Sequence, residues 1–177
     1  MTHPIPRICF FGPESTGKTT LSQTLGAYFN APVISEYGRT YTEKYRIETW
    51  VSTDFLKIAW GHMALRHEAE KTAPSLIIED TDPVATAIWS DKLNIPRDPW
   101  FATYDETANL YFLTDIDLPW IDDGVRYWPD EAQSKAFKQA CLEELTARSL
   151  PYILLSGSWE DRKARAIEAT IRFLSEP

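Results

Sequence analysis

Cysteine is nearly missing from this chain: two residues in 177, Cys9 inside an apolar run and Cys141 in a segment of helical periodicity. A disulfide framework is therefore not indicated, and a reducing cytoplasm is the expected setting. Basic charge is short as well. The 18 Lys and Arg are outnumbered by 26 Asp and Glu, for a net charge of −8 and a pI near 4.9. That balance excludes the basic stripe that a nucleic-acid or anionic-membrane surface needs. No apolar run approaches the ~18 residues of a membrane span, and Met1–Arg7 has no signal-peptide apolar segment. Repeats and low-complexity tracts are absent. His62 and His67 have no Cys or His partners at metal-ligand spacing, so no zinc site is expected. What is present is 20.3 kDa of chain, 44% hydrophobic, which suits one domain over residues 1–177 with a single core. Monomer and homo-oligomer are equally compatible with this composition.

Short apolar runs recur at Arg7–Phe11, Pro32–Ser35, Leu76–Glu79, Leu110–Thr114 and Tyr152–Ser156, each separated by enough chain for a crossover. Runs of this kind suit strands buried on both faces, and the spacing predicts a five-stranded parallel sheet. Helices are expected over Gly17–Phe29, Tyr37–Tyr45, Thr53–Glu70, Pro83–Asp91, Pro129–Ala147 and Trp159–Leu174. Asp82-Pro83 and Pro129-Asp130 are ordinary helix-opening signals for the fourth and fifth. The pattern implies a three-layer α/β fold, helices on both faces, with ligands at the carboxyl ends of the strands.

Directly after the first run, Gly12-Pro13-Glu14-Ser15-Thr16-Gly17-Lys18-Thr19 fills the phosphate-cradle pattern G-x-x-x-x-G-K-[ST]. Its glycines let the backbone turn so that N–H groups face a phosphate, Lys18 reaches the β and γ oxygens, and Thr19 offers a hydroxyl to magnesium. Gly12, Glu14, Ser15, Thr16, Gly17, Lys18, Thr19 and Thr20 are the expected ATP contacts. Acids are expected to face this loop from neighbouring strand ends. Asp80, closing an apolar run, is the candidate for the magnesium shell. Asp82 is open between a site carboxylate and the cap of the helix that starts near Pro83. Glu36 is the candidate general base for a substrate hydroxyl, the alternative being an exposed helix-start glutamate near Arg39.

The segment around 115–129 follows the fourth strand without helical periodicity and reads as a lid, from which Arg126 would close onto the transferring phosphoryl group. Arg162 and Arg165 are open between contacts to phosphate or adenine and an exposed helix face. Seven tryptophans are many for this length, and most belong in the core. Trp60, Trp89 and Trp120 lie on segments bordering the expected acceptor pocket, where a planar substrate would stack.

Several of these stretches together are far more specific than the cradle alone: Gly12–Leu21, Glu36-Tyr37-Gly38-Arg39, Lys57–His62, Glu79–Asp82 and Leu118–Arg126. With them nearly the whole chain resembles the ribosylnicotinamide kinase domain of NadR-type proteins. The resemblance implies a P-loop kinase fold, ATP and Mg2+ as cofactors, and transfer of the γ-phosphate to the ribose 5′-hydroxyl of nicotinamide riboside. It also implies that Lys18, Thr19, Asp80 and Arg126 serve the ATP side, while Glu36, Tyr37 and Asp123, with Arg39 of the same motif, serve the acceptor side. Where that family has an aromatic residue before the Glu-Tyr pair, this chain has Ser35, which leaves two expectations open: Trp60 or Trp120 replaces that wall, or the acceptor is a similar nucleoside other than nicotinamide riboside. The H-x-G-H sequence of a nucleotidyltransferase is absent, so a stand-alone kinase is expected. The competing reading is a P-loop ATPase or nucleotide-driven switch acting on another small molecule or a protein partner.

Overall fold

The computed structural model describes residues 4–45, 47–117 and 131–175. Its five strands are β1 (Arg7–Phe11), β2 (Val33–Ile34), β3 (Ile77–Asp80), β4 (Leu110–Thr114) and β5 (Tyr152–Leu155), and its helices are α1 (Lys18–Phe29), α2 (Tyr37–Tyr45), α3 (Ser52–Glu70), α4 (Pro83–Lys92), α5 (Trp100–Thr103), α6 (Glu131–Ala147) and α7 (Trp159–Ser175). The strands form one sheet in the order β2-β3-β1-β4-β5, and every pair is parallel. A parallel sheet needs both faces covered, and the alternation of side chains along β1 shows how that is met. Ile8 and Phe10 point into a core under α1 and α7 with Leu21, Leu25 and Ala166, while Cys9 and Phe11 point into the opposite core with Ile88, Phe137 and Cys141. Both thiols are buried and free, as an apolar role requires.

The expected strands and helices are all present, with ends displaced by a residue or two. β2 shrinks to two residues at the sheet edge, and the short turn α5 carried no periodic signal to announce it. Helix α6 is described from Glu131, so its expected start at Pro129 lies outside the described residues, as does most of the lid segment. No described helix is long and apolar enough to cross a membrane.

Register decides where the chemistry stands. β3 pairs with β1 so that Glu79 lies beside Cys9 and Asp80 beside Phe10. Successive residues of a strand face opposite sides, so Glu79 is sent toward α3 and Asp80 toward the side of α1. The start of α1 is where the cradle ends.

Candidate active site

The cradle is a tightly bolted turn. Gly12 holds φ +130°, and a Cβ there would come within 2.6 Å of Thr114 Oγ1. Gly17 holds φ +85°, and its Cβ would sit 2.8 Å from the Trp159 ring, so both positions exclude a side chain on conformation and on space. Thr16 Oγ1 donates to the Pro13 carbonyl at 2.8 Å and lies 2.6 Å from Thr114 Oγ1, which ties the loop to the end of β4. Ser15, at φ +63°, turns the apex. Helix α1 then opens at Lys18 with Gly17 as its cap, no side-chain cap and no acid in the first turn. Its first N–H groups therefore remain available and its positive end is uncompensated, the condition under which a helix start binds an anion. Lys18 Nζ donates to the Pro13 carbonyl at 2.6 Å, spanning the loop. Thr19 and Thr20 are exposed on the first turn beside it.

Arg162 is neither on an exposed helix face nor turned outward to a phosphate, which corrects both expectations for it. It is fully buried. Its guanidinium donates to the carbonyls of Thr16 (3.1 Å), Gly157 (3.1 Å) and Asp115 (3.2 Å) and pairs with Asp117. Five donors in a planar fork suit this joint between the cradle, the end of β4 and the loop before α7. Arg162 shapes the cradle from behind.

Among the strand-end acids the structure separates three roles. Asp80 is buried, and its Oδ1 has no hydrogen-bond partner among the described residues. An orphaned carboxylate oxygen at a strand end beside a phosphate cradle is what a hard, oxygen-seeking cation takes as ligand. No group of three acidic, His or Cys ligands occurs among the described residues, so a cation here would complete its shell from phosphate oxygens and water, the usual habit of magnesium. The orphaned Oδ1 of Asp80 and the exposed Thr19 hydroxyl fit such an ion and would be the protein groups to hold it.

Glu36 follows β2 at the mouth of α2. Burial pushes its carboxyl above the usual range and the neighbouring charges of Asp80 and Glu14 add to this, while Lys18 and Arg39 pull the other way. Those four neighbours belong to the cradle, the end of β3 and α2, so Glu36 stands in the electrostatic field of the phosphate site. It also lines a pocket enclosed by α2, α3 and α4, together with Glu14, Tyr37, Arg39, His62 and Trp89.

Asp82 takes the cap reading. It is buried, and its Oδ1 accepts from the N–H groups of Val84 (3.0 Å) and Ala85 (3.2 Å), while its Oδ2 accepts from the Tyr111 hydroxyl at 2.5 Å. Burial, with Glu79 nearby, pushes its carboxyl up to about 6. Both oxygens are engaged in the core. Asp82→Ala should lose about 1–3 kcal/mol of stability through the lost cap and the orphaned Tyr111 hydroxyl. Turnover per folded molecule should stay within a few-fold, read by urea unfolding beside a kinase assay. A stable variant with collapsed turnover would return Asp82 to the chemistry.

The pocket's aromatic wall is not the expected one. Trp60 is 51% exposed on the outer face of α3, edge-on to Trp100, and does not border the pocket. Trp89 does, joined by Trp50 and Phe55, whose rings lie 5.2 Å apart. Trp50 sits in the turn before α3, where no periodicity marks it, and only tertiary packing brings it in. Tyr37 reaches the pocket because of Gly61: a Cβ at that position would lie 2.0 Å from the Tyr37 ring. A glycine inside a 19-residue helix costs roughly 1 kcal/mol against alanine, and here it gives the ring its seat. Trp120, Asp123 and Arg126 lie outside the described residues.

The sequence also gave no role to a polar chain beneath the pocket. His62 Nε2 is 2.8 Å from Glu79 Oε2, and Arg7 Nη1 donates to Glu79 Oε1 at 3.1 Å. Read as a run, Glu79 is one more residue of a buried strand; its charge is legible only once β1, β3 and α3 are packed together.

Known proteins resemble this arrangement closely. The chain is 29% identical over 175 residues to the trifunctional NAD biosynthesis/regulator protein NadR of Salmonella typhimurium (strain LT2), covering 96% of this chain and 43% of that protein. It thus spans less than half the length of that relative. The crystal structure of NadR protein in complex with NR superposes with a TM-score of 0.83 at 26% identity, over 98% of this chain and 52% of that one. A deoxyadenosine kinase from M. mycoides superposes with a TM-score of 0.63 at 13% identity, over 94% of this chain and 99% of that one, a likeness of fold. The AAA domain family matches residues 7–162, from β1 into α7, and the chain belongs to that family.

Proposed function

We propose that this chain is an ATP-dependent kinase that transfers the γ-phosphate to the ribose 5′-hydroxyl of nicotinamide riboside, giving nicotinamide mononucleotide. The observation that carries the reading is the position of Glu36, which lines the aromatic pocket and at the same time feels the charges of Lys18 and Asp80. One carboxylate shared by a phosphate cradle and an organic pocket is what alcohol phosphorylation requires. The likeness to NadR supports the choice of acceptor.

In this mechanism the N–H groups of residues 14–19, at the end of the cradle and the start of α1, hold the polyphosphate, and Lys18 leaves the Pro13 carbonyl to meet the β and γ oxygens. Thr19 and Asp80 would hold a magnesium ion, which would supply neutralisation of the polyphosphate charge. The acceptor ring stacks among Trp50, Trp89 and Tyr37, with Arg39 also lining the pocket, and the likeness to NadR supports acceptor-side roles for Trp120 and Asp123, which lie outside the described residues. The excess of acid in the pocket suits a pyridinium cation, because Glu14 and Glu36 stabilise positive charge there. Glu36 then accepts the 5′-hydroxyl proton as that oxygen attacks, and Arg126 steadies the charge that grows on the phosphoryl group. Most of the rate comes from positioning.

Purified protein incubated with magnesium, ATP and a panel of ribosides should yield a product 80 mass units heavier than nicotinamide riboside, about the mass of one phosphoryl group. Hydrolysis of ATP at one rate whether or not a riboside is present would overturn the kinase reading in favour of a nucleotide-driven switch.

A further inference from the structure

His62 borders the acceptor pocket, is 2% exposed, and has no task in the phosphoryl transfer described above. Three elements are committed to holding it. Glu79 on β3, wholly buried, faces Nε2 through Oε2 and is itself held through Oε1 by Arg7 of β1. Arg7 is fixed in turn by donating to the carbonyls of Glu106 and Thr107. A carboxylate only accepts, so Nε2 carries a hydrogen toward Glu79, and Nδ1 is the ring nitrogen left for another partner. Nδ1 has no hydrogen-bond partner among the described residues. Yet the only buried polar side-chain atoms without a partner there are Arg66 Nε and Asp80 Oδ1. Nδ1 therefore keeps an opening, and the pocket is the opening that His62 borders.

We propose that His62 is an acceptor-binding residue whose Nδ1 accepts a hydrogen bond from an O–H or N–H of the bound riboside, with Glu79 and Arg7 as positioning residues that fix the tautomer and the ring. The proposal rests on the reading of the pocket as a nucleoside site. It gives the charged chain Arg7–Glu79–His62 a function beyond stability: an oriented acceptor atom in a cavity whose aromatic walls are Tyr37, Trp50, Phe55 and Trp89.

Two substitutions separate this from a merely structural histidine, because a glutamine side chain reaches the Nε2 position and an asparagine side chain the Nδ1 position. His62→Gln keeps the contact to Glu79 and should hold Tm near wild type, while raising the KM for nicotinamide riboside about tenfold and leaving the KM for ATP unchanged. His62→Asn gives up the Glu79 contact and should lower Tm, while raising the riboside KM less than His62→Gln does, because its carboxamide oxygen replaces Nδ1 without the positioning from Glu79. Should the asparagine variant fail to fold, the glutamine variant decides alone. Nicotinic acid riboside, which lacks the carboxamide N–H, identifies the donor. A His62→Gln penalty confined to the amide substrate assigns the bond to the carboxamide, and an equal penalty on both assigns it to a ribose hydroxyl. A wild-type riboside KM in His62→Gln, or KM changes that follow Tm in both variants, would overturn the proposal while the kinase reading stands. Wild-type protein that phosphorylates no riboside would instead sink the kinase reading, and this inference with it.

Discussion

Lys18→Ala is expected to abolish turnover, with kcat falling by at least about a thousandfold, while the protein stays folded. The reason is geometric. The two glycines, Thr16 and the Arg162 joint set the cradle's shape, and none of these depends on the lysine. The structural cost of removing Lys18 is one hydrogen bond to the Pro13 carbonyl, about 1 kcal/mol. The catalytic cost is larger because the ammonium is the described cation best placed to reach a phosphate as its charge redistributes. In a chain of net charge −8, with Glu14, Glu36 and Asp80 close by, little else offsets the repulsion between polyphosphate and protein. Product formation by mass spectrometry, with thermal unfolding as a control, reads both sides. A folded variant that keeps turnover within tenfold of wild type would mean that phosphate transfer happens elsewhere.

Glu36→Gln should lower kcat by about 10²–10⁴-fold and leave ATP affinity nearly unchanged, because the amide keeps the shape and a hydrogen-bond acceptor but cannot take the proton. The pH profile gives an independent reading. Burial raises the Glu36 carboxyl above the ordinary carboxylate range. A base must be ionised to work, so wild-type kcat should fall as pH drops through that raised value, and the acidic limb should vanish in the glutamine variant. Retention of the limb in Glu36→Gln, or equal rates in both proteins, would take Glu36 out of the base role. The same shift bears on stability. With the folded pKa raised, the folded state binds the proton more readily than the unfolded one, so this group's contribution is greatest at low pH and is lost as pH rises through the folded value.

Much of this site was legible in the chain because its signals are local. A cradle is a contiguous stretch whose glycines answer a backbone requirement, and both Gly12 and Gly17 stand at positive φ. Asp80 was legible as the acid that ends an apolar strand, and the start of α4 as the Asp82-Pro83 pair. Arg162 and Trp60 were misread for one reason: a helix presents several faces, and the sequence does not say which meets the sheet. Helix α7 turns Arg162 inward to three carbonyls, while α3 turns Trp60 outward and His62 inward. Asp82 was open between a site and a cap in the sequence, and its hydrogen bonds belong to a cap.

By itself the sequence determined the parallel α/β architecture, the phosphate cradle and the acids beside it, since buried strands and glycine-dependent turns are written in consecutive residues. Tertiary structure alone decided the acceptor pocket and the Arg7–Glu79–His62 chain beneath it. Trp50, Gly61, His62 and Glu79 come from a turn, a helix and a strand whose meeting depends on strand register and helix rotation, and neither is set until the core packs.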